Sequence, residues 1–424
     1  MQYWTLSEQV PVKDVVDVLV AGSGPAGFAA AVCAARQGSR VMLVEMLGSV
    51  GGISTSGLMS HFTGSVDSAF YEELLGRMAQ RNEGAQAGVR TVLIDPEKQK
   101  LLYLDMLEEA GVVLRLYSMV SDVIVEDGAV CGVVLQSKRG REAVRARVVV
   151  DATGDGDVAA KAGVPFHKGR ESDGQMQPVS VMFKVAGVDT DRAVFPGGFE
   201  SLVETERGEL QALAKQLLPF PAGHVLLYRS TLPGIVTCNM TNCIDIDGTD
   251  PEDLTRGETV CRRQIDAIIA FLREYVPGYE RCYLIGTASL LGVRETRHFH
   301  GRYTLTREDI LQMRSFEDWI VRGARFNFDV HNMSGAGLDE TGMQKKFPQN
   351  NQYAIPYRCL LPREIGGLLL AGRCISGSHM AHSNYRVMPI CVAIGEAAGI
   401  AAALAVRSGI EPAQVDSAAI QALL

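Results

Sequence analysis

The stretch AGSGPAGFAAA at residues 21–31 constrains the fold more than any other part of the sequence, because its glycines form the pattern G-x-G-x-x-G. The preceding residues, VVDVLVA (15–21), are β-branched and apolar, which predicts a buried strand. The following residues, 25–37, are rich in alanine and predict a helix. A strand, this turn and a helix in succession are typical of a loop that binds a dinucleotide phosphate.

Each glycine of the loop has its own physical role. Gly22 permits the tight turn, Gly24 lets the backbone approach a pyrophosphate, and Gly27 lets helix and strand pack closely. The N–H groups at the start of the helix then face the phosphates. A second strand, VMLVE (41–45), ends in Glu45, whose carboxylate accepts hydrogen bonds from a ribose diol and repels a 2′-phosphate. This arrangement argues against NADP at the site.

Two further stretches bear on whether the loop holds a nicotinamide or a flavin. GSVGGISTSGL (48–58) follows Glu45 with a glycine pair and hydroxyl side chains, which suits the path of an extended FAD. GGLLLAGRCIS (366–376) is a second apolar strand that ends at glycine. An alanine-rich helix follows, with its N-terminus near residues 386–389, and such an N-terminus stabilises negative charge on a reduced flavin. Both stretches favour flavin.

The segment RARVVVDATGDGDVAAKAG (145–163) contains another buried strand, preceded by a β-meander with a hairpin turn at Asp127-Gly128. Its GDGDVA also fits G-x-G-x-x-A, which raises the alternative of a second, NAD-binding site. No strand ending in an acid follows at the right distance, which disfavours that alternative.

The motifs GSGPAG, DATGDGDVA and LLLAGRCIS…RVMP…GEAAGIAAALA together resemble the FAD-dependent oxidoreductases with the glutathione-reductase-type flavin fold, which has two dinucleotide-binding domains. More narrowly, they resemble a bacterial FAD-dependent oxidoreductase family. The blocks GVRETRHFHGRYTLTREDI (292–310) and YAIPYRCLLP (353–362) are also similar to that family, and the resemblance spans residues 15–406.

The resemblance implies an enzyme that transfers hydride between a small organic substrate and N5 of FAD. The cofactor contacts that we expect are Gly22, Ser23, Gly24, Pro25, Ala26, Gly27, Glu45, Met46, Gly51, Gly52, Thr55, Val120, Thr153, Gly154, Gly372, Arg373, Val387 and Met388. Val50 stands where a covalent attachment through histidine requires His, so we expect non-covalent FAD. No cysteine lies between residues 33 and 131, which argues against a dithiol relay.

The predicted fold class is α/β: a Rossmann-like FAD-binding domain with a parallel central sheet and a β-meander, plus an inserted α+β substrate domain. We expect the first part of the FAD-binding domain at 1–165, the substrate domain at 166–355 and the returning part at 356–424. Within the insertion, 178–188 alternates like a strand and 257–275 reads as an amphipathic helix.

Basic and aromatic side chains concentrate in GVRETRHFHGRY (292–303). Arginines there anchor a carboxylate in one interpretation, and histidine or tyrosine transfers protons. In the other, the segment is ion-paired, Arg294 with Glu295 and Arg302 with Glu308. The sequence leaves both open. The candidate substrate-binding residues are Arg294, Arg297, Arg302, Arg358 and Arg386, and the candidate catalytic residues are His298, His300, Tyr303, His379 and His382.

Charge and composition limit the partners. The net charge is −8 without a basic block, which disfavours nucleic acid. The nine cysteines are scattered, which predicts reduced thiols and no metal cluster.

Residues 387–406 predict a buried helix rather than a membrane anchor, and 1–14 lack the apolar core of a signal peptide, so we expect a cytoplasmic protein. An oligomer stays open, as does the electron partner (oxygen, a quinone, a ferredoxin or NAD(P)H). A flavin-holding protein that binds a partner is a further alternative.

Overall fold

The computed structural model describes residues 7–81, 92–199, 201–340 and 351–424; residues 1–6 of the N-terminal segment discussed above lie outside this range. The strands in these ranges are β1 (Val12–Ala21), β2 (Val41–Val44), β3 (His61–Phe62), β4 (Ser65–Asp67), β5 (Val92–Leu93), β6 (Val113–Arg115), β7 (Met119–Glu126), β8 (Ala129–Ser137), β9 (Gly140–Asp151), β10 (Phe166–Lys168), β11 (Phe183–Ala186), β12 (Glu204–Thr205), β13 (Gly208–Glu209), β14 (Leu227–Arg229), β15 (Val236–Cys238), β16 (Tyr283–Thr287), β17 (Arg297–Phe299), β18 (Trp319–Arg325), β19 (Tyr353–Pro356) and β20 (Leu368–Leu370). The helices are α1 (Pro25–Arg36), α2 (Ala69–Arg81), α3 (Pro96–Glu109), α4 (Asp157–Lys161), α5 (Leu210–Leu217), α6 (Pro251–Tyr275), α7 (Arg307–Leu311), α8 (His379–Tyr385), α9 (Met388–Ser408) and α10 (Ser417–Gln421).

The central sheet has the order β6-β2-β1-β9-β8-β7, and β20 also pairs with β9. Strands β6, β2, β1, β9 and β20 run parallel, whereas β7, β8 and β9 form an antiparallel meander. Asp127 and Gly128, in the turn between β7 and β8, both have positive φ, as a two-residue hairpin turn requires. The prediction of an α/β chain with a parallel central sheet and a meander is confirmed.

Helices α1 and α9 lie against each other close to the central sheet. Their approach is so close that a Cβ added at Gly395 or Gly399 would overlap the carbonyl oxygens of Ala26 and Ala30. By length and composition α9 is apolar enough to cross a membrane, but 94% of its most apolar window is buried inside the fold. The prediction of a buried helix over residues 387–406 is therefore confirmed.

A second hydrophobic core lies between the antiparallel sheet β14-β15-β11-β16 and the helices α5 and α6. Phe183, Val185, Ile268 and Leu272 are among its buried residues. The segment from Phe299 to Phe328 packs on the first core instead, with the central sheet. The chain therefore leaves the first core to form the second one, and it packs on the first core again from Phe299 onward, well before residue 355.

Two elements of the second region differ from their predicted bounds. Of the strand predicted at 178–188, Phe183–Ala186 is a strand, while Val179 and Ser180 form isolated bridges to two different segments. Helix α6 begins at Pro251, six residues before the predicted start, because the Asp250 side chain accepts hydrogen bonds from the amides of Glu252 and Asp253 and caps the helix.

Candidate functional site

The turn between β1 and α1 is built around its glycines. Gly22 has φ +90°, and a Cβ there would lie 2.5 Å from the carbonyl oxygen of Ala152 at the end of β9. A Cβ at Gly27 would overlap the carbonyl oxygen of Gly22, whereas a Cβ at Gly24 would meet nothing within 4 Å. Gly22 and Gly27 are thus required by packing within the protein, and Gly24 borders open space.

The first turn of α1 carries free backbone donors. Gly24 is the N-cap, Pro25 and Ala26 follow, and no side chain of the described residues caps the helix. Helix α9 begins in the same way: Val387 is the N-cap without a side-chain cap, followed by Met388 and Pro389. Uncapped N-termini present N–H groups and positive potential to an anion.

Glu45 follows β2 and is buried beside the glycine turn. Its carboxylate accepts hydrogen bonds from the Ser23 amide at 2.9 Å, the Ser23 hydroxyl at 2.7 Å and the Leu47 amide at 2.8 Å. The amide of Ser118, just before β7, donates to the Glu45 carbonyl at 3.0 Å, which brings the segment containing Val120 near the acid. Met46, in contrast, is 57% exposed and points away from the core.

The second glycine pair folds over the first. The Gly51 amide donates to the Ser23 carbonyl at 2.9 Å, and a Cβ at Gly52 would lie 3.1 Å from Gly24 Cα. The Thr55 hydroxyl donates to the Val50 carbonyl at 2.5 Å and so braces this loop. The loops 22–27 and 51–55 therefore form two sides of one cradle.

The third side of the cradle comes from the ends of β9 and β20. The Thr153 hydroxyl donates to Asp151 at 2.7 Å, and Gly154 lies against the guanidinium of Arg373. Arg373 Nη2 donates to Asp155 at 3.0 Å, while its buried Nη1 has no hydrogen-bond partner among the described residues. Gly372 has φ +79° and lies against the side chain of Ala26.

These features fit FAD. They comprise the open space at Gly24, two uncapped helix N-termini and the unpartnered Arg373 nitrogen. The GDGDVA turn, in contrast, contains no such space: a Cβ at Gly156 would overlap the ring of Phe299, and Asp155 accepts hydrogen bonds from Thr296 and Arg373. This packing disfavours a second dinucleotide at that turn.

Arg294 and Glu295 form separate contacts, so the ion pair that one of the two interpretations placed between them is not formed. Arg294 donates to the Pro178 carbonyl at 2.6 Å and to the Ser180 hydroxyl at 3.1 Å. Glu295 instead contacts two histidines. Successive side chains of an extended segment point to opposite sides, so neighbours in sequence do not share a partner. The pair of Arg302 with Glu308, from the same interpretation, is not formed either, and Glu308 pairs with Arg307 at 2.7 Å.

Glu295, His298, His379 and His382 form a buried group that we call the Glu295 cluster. One oxygen of Glu295 lies 2.8 Å from His298 Nε2 and 2.6 Å from His379 Nδ1. Burial alone would raise the pKa of the Glu295 carboxyl, but the hydrogen bonds from His298 and His379 hold this pKa well below its ordinary value. The His382 ring packs edge-on against His298 at 5.0 Å, and burial lowers the pKa of His382. The Glu295 carboxylate is therefore ionised, and His382 is neutral.

A second group, the arginine chamber, consists of the buried residues Arg294 and His331 and the half-buried residues Arg386, Asp329 and Tyr228. Arg386 Nη2 lies 3.1 Å from Asp329 Oδ2, and His331 Nε2 lies 3.4 Å from the same oxygen. Burial, together with the charge of Arg386, lowers the pKa of Arg294 to about 10. Burial, together with Arg294, lowers the pKa of His331 to about 4. The two guanidinium groups contact neighbouring residues of one segment, Arg386 at Gln177 and Arg294 at Pro178, and His331 is neutral at pH 7.

Gln177 connects the two groups. Its amide N–H donates to Glu295 at 3.1 Å, and its side-chain oxygen accepts from the His331 amide at 3.1 Å and from Arg386 at 3.4 Å. Its Nε2 and the Nε of Arg386 are buried and have no partner among the described residues. Spare donors therefore remain at the junction.

Five of the predicted residues lie in other environments. Arg302 and Arg358 line an open surface pocket of about 670 Å³, where Arg358 pairs with Asp318 at 2.8 Å. Tyr303, which also packs under Arg358, donates to Asp309 at 2.9 Å. Arg297 pairs with Asp157 at 2.9 Å. His300, the fifth, is exposed. The structure thus brings together Arg294 with Arg386, and His298 with His379 and His382.

Sequence reasoning missed several members of both groups: Gln177, Tyr228, Glu295, Asp329 and His331. They come from segments far apart in the chain, and no local motif marks them. The one available signal was Glu295. It is an acid that lies three residues before a histidine, in a segment with the alternating side-chain pattern of an extended strand.

Comparison with known proteins supports the flavin interpretation. The family model described as FAD dependent oxidoreductase matches residues 17–424. Digeranylgeranylglycerophospholipid reductase 1 of Methanococcoides burtonii is 27% identical over 219 residues, which are 44% of this chain and 51% of that protein. Digeranylgeranylglycerophospholipid reductase 2 of Methanopyrus kandleri is 30% identical over 208 residues, 43% of this chain and 50% of that protein. The chain spans about half the length of the curated relatives that it matches.

Two solved structures share the fold. A geranylgeranyl bacteriochlorophyll reductase-like protein of Thermoplasma acidophilum has a TM-score of 0.51 at 14% identity, over 96% of this chain and 82% of that one. The p-nitrophenol 4-monooxygenase PnpA of Pseudomonas putida has a TM-score of 0.52 at 13% identity, over 96% and 83%. At these identities the likeness concerns the fold alone.

Proposed function

We propose that this chain, which belongs to the FAD-dependent oxidoreductase family, exchanges hydride between flavin N5 and a small anionic organic substrate. Membership makes the protein an FAD-dependent enzyme. The anionic character of the substrate is our inference. It rests on one observation, the pair of like charges formed by the buried Arg294 and the half-buried Arg386.

The charge balance of the arginine chamber favours an anion. Arg294 is 9% exposed and donates to a carbonyl and a hydroxyl. No carboxylate of the described residues lies within ion-pair distance of it. Arg386 shares Asp329 with His331, which is neutral at pH 7. A buried cation without a counter-ion is costly, and a bound carboxylate removes that cost through charge-assisted hydrogen bonds.

The chain's own residues divide the remaining work. The glycine turn at 22–27, Glu45 and Arg373 hold the dinucleotide in this proposal. Burial of Arg294 and Arg386 excludes water and strengthens their hold on an anion. Tyr228, whose pKa burial raises to about 12, stays protonated at neutral pH and is available as a hydrogen-bond donor. A cytoplasmic location remains part of the proposal.

The names of the relatives suggest a different substrate class, a geranylgeranylated lipid. The arginine chamber does not suit an apolar chain, since a buried charge beside hydrocarbon remains without a partner. Direct use of NAD(P)H as electron donor is a second alternative. Titration with NADH without oxygen distinguishes it, because rapid bleaching of the flavin by NADH alone would make the nicotinamide the donor.

The test is an anaerobic screen of small carboxylates against their neutral amides, followed by flavin absorbance. We expect carboxylates to change the flavin redox state and the amides to fail. Replacing Arg294 or Arg386 by Gln removes charge-assisted bonds worth about 1.5–3 kcal/mol each, so the substrate KM rises by about tenfold to hundredfold. Arg358→Gln, in the surface pocket, is the matched control with an unchanged KM. Equal reaction of amides, or an unchanged KM in both chamber variants, would contradict the proposal.

A further inference from the structure

The Glu295 cluster contains three potential metal ligands in close proximity. One ligand atom each from Glu295, His298 and His382 lies within 4.8 Å of the other two, and all three residues are buried. Glu295 lies just before β17, His298 lies on β17, and His382 lies on α8. The close approach of α8 to this segment therefore creates the group.

The hydrogen bonds of His298 leave an excess of acceptors. Its Nδ1 lies 3.0 Å from the Gly377 carbonyl oxygen, and its Nε2 lies 2.8 Å from the Glu295 carboxylate. Both partners are acceptors, whereas a neutral imidazole has one N–H. When Nδ1 donates to Gly377, a cation must lie between Nε2 and the carboxylate oxygen, either the second proton of an imidazolium or a metal ion.

The surroundings match those of a metal ligand. A ligating histidine commonly donates its second N–H to a backbone carbonyl, as Nδ1 of His298 does toward Gly377, and a ligating carboxylate is itself hydrogen-bonded. His379 lies 2.6 Å from Glu295 and supplies that second contact. Nitrogen and oxygen ligands lie about 2.0–2.2 Å from Zn²⁺, so neighbouring ligands of a tetrahedral site are about 3.3–3.6 Å apart. Glu295 and His298, 2.8 Å apart, would therefore separate by about half an ångström to bind the ion.

His382 provides an independent observation. It is 2% exposed, and its Nδ1 is buried without a hydrogen-bond partner among the described residues. A buried polar atom normally has a partner, and an unsatisfied one costs free energy. The unpartnered ring nitrogen of His382 is of the kind that commonly coordinates metal ions.

We propose that Glu295, His298 and His382 bind one transition-metal dication such as Zn²⁺, Fe²⁺ or Co²⁺. Two imidazoles and one carboxylate favour these ions over Mg²⁺ and Ca²⁺, which take oxygen ligands. Three protein ligands leave at least one position for water or another molecule. In this proposal His298 and His382 are ligands rather than the proton carriers expected from the sequence, and His379 positions Glu295. The site is additional to the proposed substrate reaction.

The experiment uses the FAD-loaded protein, stripped with a chelator and then titrated with Co²⁺. We expect one Co²⁺ per chain, seen as visible d–d bands and by elemental analysis, and displaced by Zn²⁺. His382→Gln should weaken Co²⁺ binding by at least about tenfold to hundredfold, the loss known for outer-shell partners alone. Since Nδ1 of His382 has no partner to lose, this variant should keep its fold and its FAD. His167→Gln, which removes a ring stacked 5.0 Å from His298, is the matched control.

Any one of three results would overturn the assignment. Either the stripped wild-type protein takes up no Co²⁺, or His382→Gln binds it as tightly as the wild type. A third result would also overturn it: a shifted flavin spectrum and weaker FAD binding in metal-free His382→Gln, since His382 would then contact the flavin. The carboxylate screen with Arg294 variants is read separately, so failure of the metal site leaves the proposed function standing.

Discussion

The Glu45 carboxylate accepts two hydrogen bonds from Ser23, one from its amide at 2.9 Å and one from its hydroxyl at 2.7 Å. These bonds join the end of β2 to the turn between β1 and α1. A third donor, the Leu47 amide, fixes the other carboxylate oxygen. The acid is therefore held in place before any ribose arrives, with lone pairs still available to hydroxyl groups.

Replacing Glu45 by Gln should weaken FAD binding. An amide nitrogen placed against Ser23 or Leu47 faces a donor, and the charge that strengthens the ribose contacts is lost. A hydrogen bond to a charged group is worth about 1.5–3 kcal/mol, so the Kd for FAD should rise about tenfold to hundredfold. Fluorescence titration of the stripped protein with FAD measures it. Asp17→Asn is the control, because Asp17 caps the exposed Arg40 amide away from the cradle; a matching loss there would refute the assignment.

Replacing Gly24 by Ala should separate cofactor binding from folding. Gly24 has φ −60°, which alanine adopts freely, and its Cβ would meet no protein atom within 4 Å. We expect the unfolding midpoint of the stripped protein to stay unchanged, while FAD affinity falls because the methyl group occupies the space of the phosphates. Thermal unfolding with and without FAD measures both. Normal FAD binding by Gly24→Ala would show that the pyrophosphate lies elsewhere.

Replacing Gly399 by Ala should destabilise the protein, although Gly→Ala normally stabilises a helix by about 0.5–1 kcal/mol. The added Cβ would overlap the Ala30 carbonyl oxygen and force α9 away from α1. Overpacking of this kind costs about 1–3 kcal/mol. Gly76→Ala in α2 is the matched control, since its Cβ meets nothing within 4 Å and it should raise the unfolding midpoint. Equal midpoint shifts in the two variants would contradict the close packing.

Stability should depend on pH through buried His224. Burial lowers the pKa of its imidazole to about 3 in the folded protein, against about 6.5 when unfolded. Below pH 6.5 the unfolded chain binds a proton that the folded protein does not bind. The contribution of neutral His224 to the free energy of unfolding is therefore fully present above pH 6.5, and it is lost as the pH falls toward the folded pKa. Between these two pKa values the free energy of unfolding falls by about 1.4 kcal/mol for each pH unit of acidification.

His224→Asn should therefore flatten the dependence of the urea midpoint on pH between about 6 and 4, relative to the wild type. The same substitution at exposed His300 serves as the control and should leave the slope as it is. Identical slopes for His224→Asn and the wild type would mean that His224 is charged in the folded state.

Local sequence signals located the cradle well. Strand β1 and helix α1 follow from an apolar run, a glycine turn and an alanine-rich run, and the structure places their shared boundary at Gly22–Gly24 as predicted. These elements are set by neighbouring residues, so a single sequence carries the necessary pattern. Glu45 follows in the same way, because it ends the next strand.

The polar groups beyond the cradle were located in part. Arg294, Arg386 and three histidines were predicted, but as one undivided set with Tyr303 and His300. These residues fall into two separate groups because their side chains point to different sides of an extended segment. Which distant segment packs against each side then decides the partners of each group. Asp329 and Gln177 reach the site through tertiary contacts alone, and nothing in their own neighbourhoods marks them.

The pairing of β20 with β9, and of α9 with α1, has a consequence for biosynthesis. The sheet that carries the nucleotide turn begins near residue 12, but the strand and helix that complete it lie at residues 368–408. A ribosome must therefore make more than three hundred further residues before the apolar surface of α1 is covered. Until then the apolar surface of α1 is open to solvent in the nascent amino-terminal half, and transiently exposed apolar surface of this kind makes a folding intermediate prone to aggregation.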